Sequence, residues 1–311
     1  MERAAVSWRG ALRTLGERGL IATGVPSFSR AAMRDDALVL AYHNIVPDGA
    51  QPCGDRSLHL PQRSFAEQLD WLLDGYDVVP LDRVLPSDAP RARRPRVAIT
   101  FDDAYRGAVT VGVRELVRRG LPATIFVTPA FVGGKTFWWD ALTPRDADGL
   151  DATFRARALD EFQGDDARVR AWSRANGSAE QPAPDHAVCA SEDELCAAAR
   201  QPGITLGSHT WSHRNLVRLD DAELGDELGR PLAWLEERFG TVSHWISYPY
   251  GSYDARVAQG ARRAGYSAGL RIDGGWVRGA ARDPFAVPRL NVPAGLSIDG
   301  FILRTAGLLC R

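Results

Sequence analysis

RVAITFDDAYRGAVTVGVRELVRRG, residues 96–120, decides the architecture. Its opening, Arg96–Phe101, is a largely apolar run that reads as a buried strand. Asp102 and Asp103 follow at once, although successive side chains of a strand point to opposite faces. Residues 104–120 read as a helix, stopped by Gly120 and Pro122. PATIFVT, 122–128, is the next strand. Strand, helix and strand in succession predict a parallel pair joined by a crossover.

The same alternation extends both ways. Upstream, ALVLAYH (37–43) is a strand and 65–76 a helix with Phe65, Leu69, Leu72 and Leu73 at helical spacing. A short strand, DVVPL, and a Pro- and Arg-rich loop at 86–96 lead into the opening stretch. Downstream, strands are expected at 203–209, 243–248, in SAGLRI and at 285–292, with helices at 219–240 and 254–266 and a closing helix near the C-terminus. Asp220 and Glu223 have capping-box spacing ahead of the apolar stripe Leu224, Leu228, Leu232, Leu235, Phe239. Residues 133–202 break the rhythm and read as a largely helical insertion. Residues 1–36 read as an N-terminal helical extension, with a mild apolar pattern over 5–20. The fold class is therefore α/β, a parallel sheet or barrel. No G-x-G-x-x-G follows the first strand and no Walker loop occurs, which argues against a dinucleotide or P-loop site.

Bulk properties exclude further classes. The chain has 311 residues, a formal net charge of −1 and 45% hydrophobic residues, normal for a soluble globular protein and no footprint for nucleic acid. Lys135 is the only lysine. The four cysteines form no C-x-x-C pair and read as free thiols. No apolar run is long enough to span a bilayer, and the N-terminus lacks a continuous apolar core of a signal peptide. The expected location is cytoplasmic. Peripheral contact with the inner face of the membrane through the N-terminal helix is the alternative.

Parallel α/β folds gather their chemistry at the carboxyl ends of strands. Here those ends carry His43, Asp102-Asp103, His209-Thr210-Trp211-Ser212-His213 and Tyr248-Pro249-Tyr250-Gly251. His209 and His213 are four apart, so one helical turn would put both imidazoles on one face, a spacing suited to a shared metal. Two histidines and a carboxylate leave positions open for water, and a second carboxylate can take that water's proton.

T-F-D-D (100–103), H-T-x-x-H (209–213) and Y-P-Y-G (248–251), in this order, resemble the polysaccharide deacetylases of carbohydrate esterase family 4, with the nodulation-type chitooligosaccharide deacetylase domain. The likeness runs from about residue 37 to 292, within a domain spanning 37–311. It implies an irregular (β/α)7 barrel. It implies that Asp102 is the general base, that Asp103, His209 and His213 hold a divalent metal, most often zinc and otherwise cobalt, nickel or iron, and that the Tyr250 N–H helps hold the oxyanion. The implied activity is hydrolysis of N-acetyl groups on N-acetylhexosamine units of a polysaccharide, its lipid-linked precursor or a smaller glycoconjugate. Two alternatives stay open: a deformylase or other amidohydrolase acting on a small acyl amide, and an inactive glycan-binding protein.

Two departures from the family pattern matter. The arginine usual two residues before the proline of Y-P-Y-G is Ser247, and Arg289 in VPRLNV is the candidate to supply that charge. The late L-x-H motif is absent, since no histidine follows His244. A-Y-H-N (41–44) instead resembles the Y-H segment of exopolysaccharide poly-N-acetylglucosamine deacetylases, which would make His43 the general acid. Trp211, Trp139 and the Tyr250 ring are the candidates for packing on a sugar face. His59 and His244 read as structural.

Overall fold

Seven short walls of parallel strand surround a narrow interior. The computed structural model describes residues 16–85, 93–278 and 283–309. In chain order the strands are β1 (Ala37–Tyr42), β2 (Asn44–Val46), β3 (His59–Pro61), β4 (Asp77–Val78), β5 (Arg96–Phe101), β6 (Ala123–Val127), β7 (Ile204–Ser208), β8 (Trp245–Ser247), β9 (Ala268–Arg271), β10 (Val287–Pro288) and β11 (Leu290–Asn291). The main sheet runs β10-β9-β8-β7-β6-β5-β1-β11, with β4 beside β5. All its pairings are parallel.

The two ends of that order are one segment. Val287 pairs with Leu270 of β9, and three residues later Leu290 pairs with Leu40 of β1. Residues 287–291 thus bring both sheet edges together and nearly close a (β/α)7 barrel, with Arg289 at the seam. The expected α/β class and barrel are found.

Every residue of β1 is buried, as expected for a wall covered on both faces. Alternate side chains sort into two layers. Val39, Ala98, Phe126, Leu270 and Val287 form a small inner cluster. Leu38, Leu40, Ile99, Phe101 and Val127 belong to the larger cluster that packs under the helices. The interior is tight at Gly207, where a Cβ would lie 2.8 Å from the Phe126 ring.

The expected helices form at Gln62–Gly75, Val113–Arg119, Asp221–Phe239, Ala255–Arg263 and Ile298–Thr305. A π-helical stretch, Ala108–Gly112, leads into the second of these, and left-handed Gly120 ends it. The capping box of Asp220 and Glu223 is made, and Pro231 sits inside that helix. Between β6 and β7 lie four helices: Trp138–Ala141, Ala152–Asp160, Asp166–Ala175 and Glu192–Ala199. Within the N-terminal extension Val25–Ala32 is helical and rests on the closing helix, where Ser29 Oγ donates to the Ala306 carbonyl at 2.7 Å. Most of the helix expected over 5–20 lies outside the described residues. Cys53, Cys189 and Cys196 are free thiols; Cys310 also lies outside the described residues.

Candidate active site

The carboxyl ends of β1, β5, β7 and β8 open on one rim. His43, Asp102, Asp103, His209, His213 and Tyr250 line a cavity of about 400 Å³ there.

Asp103 and the two histidines converge. His213 Nε2 lies 3.3 Å and His209 Nε2 3.6 Å from Asp103 Oδ1. One donor atom from each residue falls within 4.8 Å of the others. His209 Nδ1–H donates to the Ser247 carbonyl at 2.8 Å, which leaves the Nε2 lone pair facing Asp103. Asp103 Oδ1 is buried and has no hydrogen-bond partner. A buried oxygen without a donor is costly, and a cation shared with the imidazoles removes that deficit. Burial, then the charges of Asp102 and Asp140, push the Asp103 carboxyl well above its ordinary range. Burial, then His209, holds the His213 imidazole well below its own. A bound cation reverses the first tendency and exploits the second, because neutral imidazole is the ligand form. The residues therefore fit a divalent metal with nitrogen and oxygen donors.

The expected helical turn between the histidines is not there. Residues 209–215 contain no helix, and Thr210 and His213 have φ of 67° and 62°. Two left-handed residues fold the chain back more sharply than a helical turn does, so the i, i+4 spacing brings the rings together by another path. Asp103 and Tyr250 are left-handed too, with φ of 69° and 58°. Such non-glycine conformations cost about 1–3 kcal/mol each and concentrate at functional sites. No hydrogen bond holds His213 Nδ1. Its ring is caged instead by Trp139 and Tyr250, each with centroids 4.7 Å away.

Arg289 enters from the seam, fully buried, and grips the other acid. Its Nη1 donates to Asp102 Oδ1 at 2.8 Å and its Nη2 to Oδ2 at 2.7 Å. The same guanidinium donates to Thr100 Oγ1 at 3.2 Å and to Ser247 Oγ at 2.8 Å. Burial alone would raise the Asp102 carboxyl, but the Arg289 guanidinium, then His209, hold it well below the usual carboxylate range. Asp102 is thus a buried carboxylate that stays ionised. Ser247, standing where the family pattern has arginine, supports Arg289 with its hydroxyl and His209 with its carbonyl.

His43 lines the cavity, and its pKa is lowered to about 4 by burial, against the opposing pull of Asp102. Trp139 and Tyr250 are wall residues. Trp211 is not among the lining residues: its ring lies under the Arg230 guanidinium, 4.0 Å from the centroid. Gly251 also lines the cavity with φ of 69°, and a Cβ there would lie 2.5 Å from Ile272.

Several residues of the site had no signal in the sequence. Asp55 and Arg155 line the cavity as an ion pair at 2.8 Å. Beneath them Asp140 is buried and accepts from Tyr105 OH at 2.5 Å, His59 Nε2–H at 3.0 Å and the Asp55 N–H at 3.1 Å. Trp139 Nε1–H donates to Tyr105 OH at 2.9 Å, which ties the wall beside His213 to this network. His59 is structural, as expected, but it belongs to the support of the site.

Comparisons with known proteins agree with one another. A family model described as polysaccharide deacetylase matches residues 89–269, more than half of the chain. YxkH of Bacillus subtilis (strain 168) is 24% identical over 269 residues, covering 85% of this chain and 74% of its own length. Among solved structures, the deacetylase PplD of Streptococcus pyogenes, in complex with acetate, superposes with a TM-score of 0.59 at 18% identity, over 86% of this chain and 97% of its own. IcaB from Ammonifex degensii gives a TM-score of 0.60 at 19% identity, over 88% and 97%.

Proposed function

The chain belongs to the polysaccharide deacetylase family, and on that premise we propose that it is a divalent-metal-dependent hydrolase of N-acetyl groups on N-acetylhexosamine units. The substrate is a glycan, its lipid-linked precursor or a smaller glycoconjugate. The observation that carries this reading is the pairing of two acids in opposite states. Asp103 shares a buried corner with two neutral imidazoles, while Asp102 is locked ionised by Arg289.

Asp103, His209 and His213 hold the ion, and zinc suits this donor set. When bound, it supplies a Lewis acid for the acetyl carbonyl. Asp102 takes a proton from the attacking water, and the Tyr250 N–H donates to the carbonyl oxygen as charge builds on it. The amide C–N bond then breaks, giving acetate and a free amine. His43 hands the leaving nitrogen its proton. Because burial keeps His43 neutral at rest, it must first acquire that proton, and the one withdrawn by Asp102 is the source. Trp139 offers a flat face to the sugar beside His213. Among the described residues no helix is long and apolar enough to cross a membrane. The location we propose is cytoplasmic, with peripheral contact at the inner face of the membrane as the alternative.

Metal analysis together with acetate release from a panel of acetylated sugars tests the reading. The purified protein should carry close to one equivalent of divalent metal. A chelator should abolish acetate release and added zinc should restore it. A protein that binds no metal and releases no acetate contradicts the proposal. Replacing His43 with Ala should lower turnover by about 10²-fold or more with metal content unchanged. Loss of the metal in that variant would make His43 a ligand instead of the acid.

A further inference from the structure

The residues between the two histidines, Thr210-Trp211-Ser212, are held from outside the barrel. The helix Asp221–Phe239 grips two of them through one residue, Glu227. The buried Glu227 carboxylate accepts from the Ser212 N–H at 2.9 Å and from Ser212 Oγ–H. The Glu227 backbone carbonyl accepts from the Trp211 N–H at 3.1 Å.

That second bond should not be available in an ordinary helix. The carbonyl of residue 227 belongs to the N–H of residue 231 four positions on. Residue 231 is proline, which has no N–H and whose ring presses against that same carbonyl. Pro231 therefore releases the acceptor that Trp211 uses. One turn of helix presents a freed carbonyl and a buried carboxylate to consecutive residues of the loop. Arg230, between Glu227 and Pro231, covers the Trp211 ring at 4.0 Å.

We propose that Glu227 and Pro231 form a notch that positions the histidine loop, and that Pro231 is retained in the helix to sharpen metal binding at a cost to helix stability. The metal half of this inference rests on the proposed function; the loop half does not. Thr210 and His213 are left-handed, so the loop needs outside support to keep both Nε2 atoms on Asp103. Outer contacts of this kind typically change metal affinity by about 10–100-fold.

The test separates positioning from ordinary stability, because the two predict opposite signs. Pro231→Ala returns an N–H that competes for the Glu227 carbonyl. Proline in a helix interior is disfavoured, so this variant should melt no lower than the wild type without metal, and it should bind zinc several-fold more weakly. Glu227→Gln should weaken zinc binding by about ten-fold, read by competition with a chromophoric chelator. Amide hydrogen exchange on the metal-free protein reads the loop itself: the Trp211 amide should exchange faster in Pro231→Ala. Unchanged zinc affinity and unchanged Trp211 exchange in Pro231→Ala would overturn the inference. Faster Trp211 exchange in a protein that binds no zinc would uphold the notch and refute the metal reading. Weaker zinc binding that merely tracks a fall in melting temperature would assign both residues to ordinary stability and end the proposal.

Discussion

Asp102→Asn should lower acetate release by about 10³-fold while leaving the bound metal in place. In the proposed mechanism the carboxylate takes the proton of the attacking water and is not one of the three metal donors. Asp103 Oδ1 lies nearest both imidazoles, whereas Asp102 approaches only His209, at 3.9 Å, so the proposed ion keeps its three donors. Asparagine is nearly the same size, so the cavity keeps its shape. It cannot take a proton from water, and no other carboxylate beside the histidines is held ionised by a buried cation. The Arg289 fork would then face one oxygen and one amide, so some loss of stability is expected as well. Zinc content and circular dichroism distinguish a folded, loaded and inactive enzyme from a collapsed one. A loaded variant with near-normal turnover would assign the base elsewhere.

Arg289→Ala should have the second largest effect, and it should appear in two measurements. Breaking a buried, hydrogen-bonded ion pair by removing one partner costs about 3–5 kcal/mol, read as a lower melting temperature. The surviving Asp102 carboxylate, buried without its cation, is driven to hold a proton. The acidic limb of the pH–rate profile should therefore move to higher pH, and turnover near neutrality should fall. The stability difference has a sign of its own. Asp102 is depressed in the folded protein, so its stabilising contribution is complete above its unfolded value of about 3.9 and fades as the pH falls through the folded value. The Ala variant lacks that contribution, so its deficit should be greatest near neutral pH and narrow in acid. Arg289→Lys keeps a charge but loses the two-pronged contact and should fall between. Full activity of the Ala variant at neutral pH would remove Arg289 from the reaction.

The architecture was legible because local signals agreed with the global fold. Most wall strands are apolar runs with a helix before the next wall, and the candidate site residues stand at the strand ends where parallel barrels put their chemistry. Asp102-Asp103, His209 and His213 could be found from those positions. Arg289 could be suspected because its usual place holds Ser247, although only the pairing of 287–291 with both β9 and β1 puts it under Asp102. The conformation of the histidine loop was not legible. Left-handed threonine and histidine run against local preference and are imposed by the helix at 221–239, so helical spacing suggested the wrong local structure. Trp211, expected at the cavity from its position between the two histidines, instead packs its ring against Arg230 and donates its N–H to the Glu227 carbonyl. The network around Asp140 joins residues 44, 59, 105, 140 and 186, and no short stretch of sequence announces a contact made across that span.

The seam at 287–291 also divides the site by sequence order. Asp103, His209 and His213, the proposed metal-binding residues, all precede the seam in the chain, whereas the partner of Asp102 lies within it. The counter-charge of Asp102 is carried by the wall that lies between β9 and β1. Under the proposed mechanism, a chain truncated before residue 287 would lack the cation that holds Asp102 ionised. Closure of the barrel and the ionised state of Asp102 thus meet at one arginine.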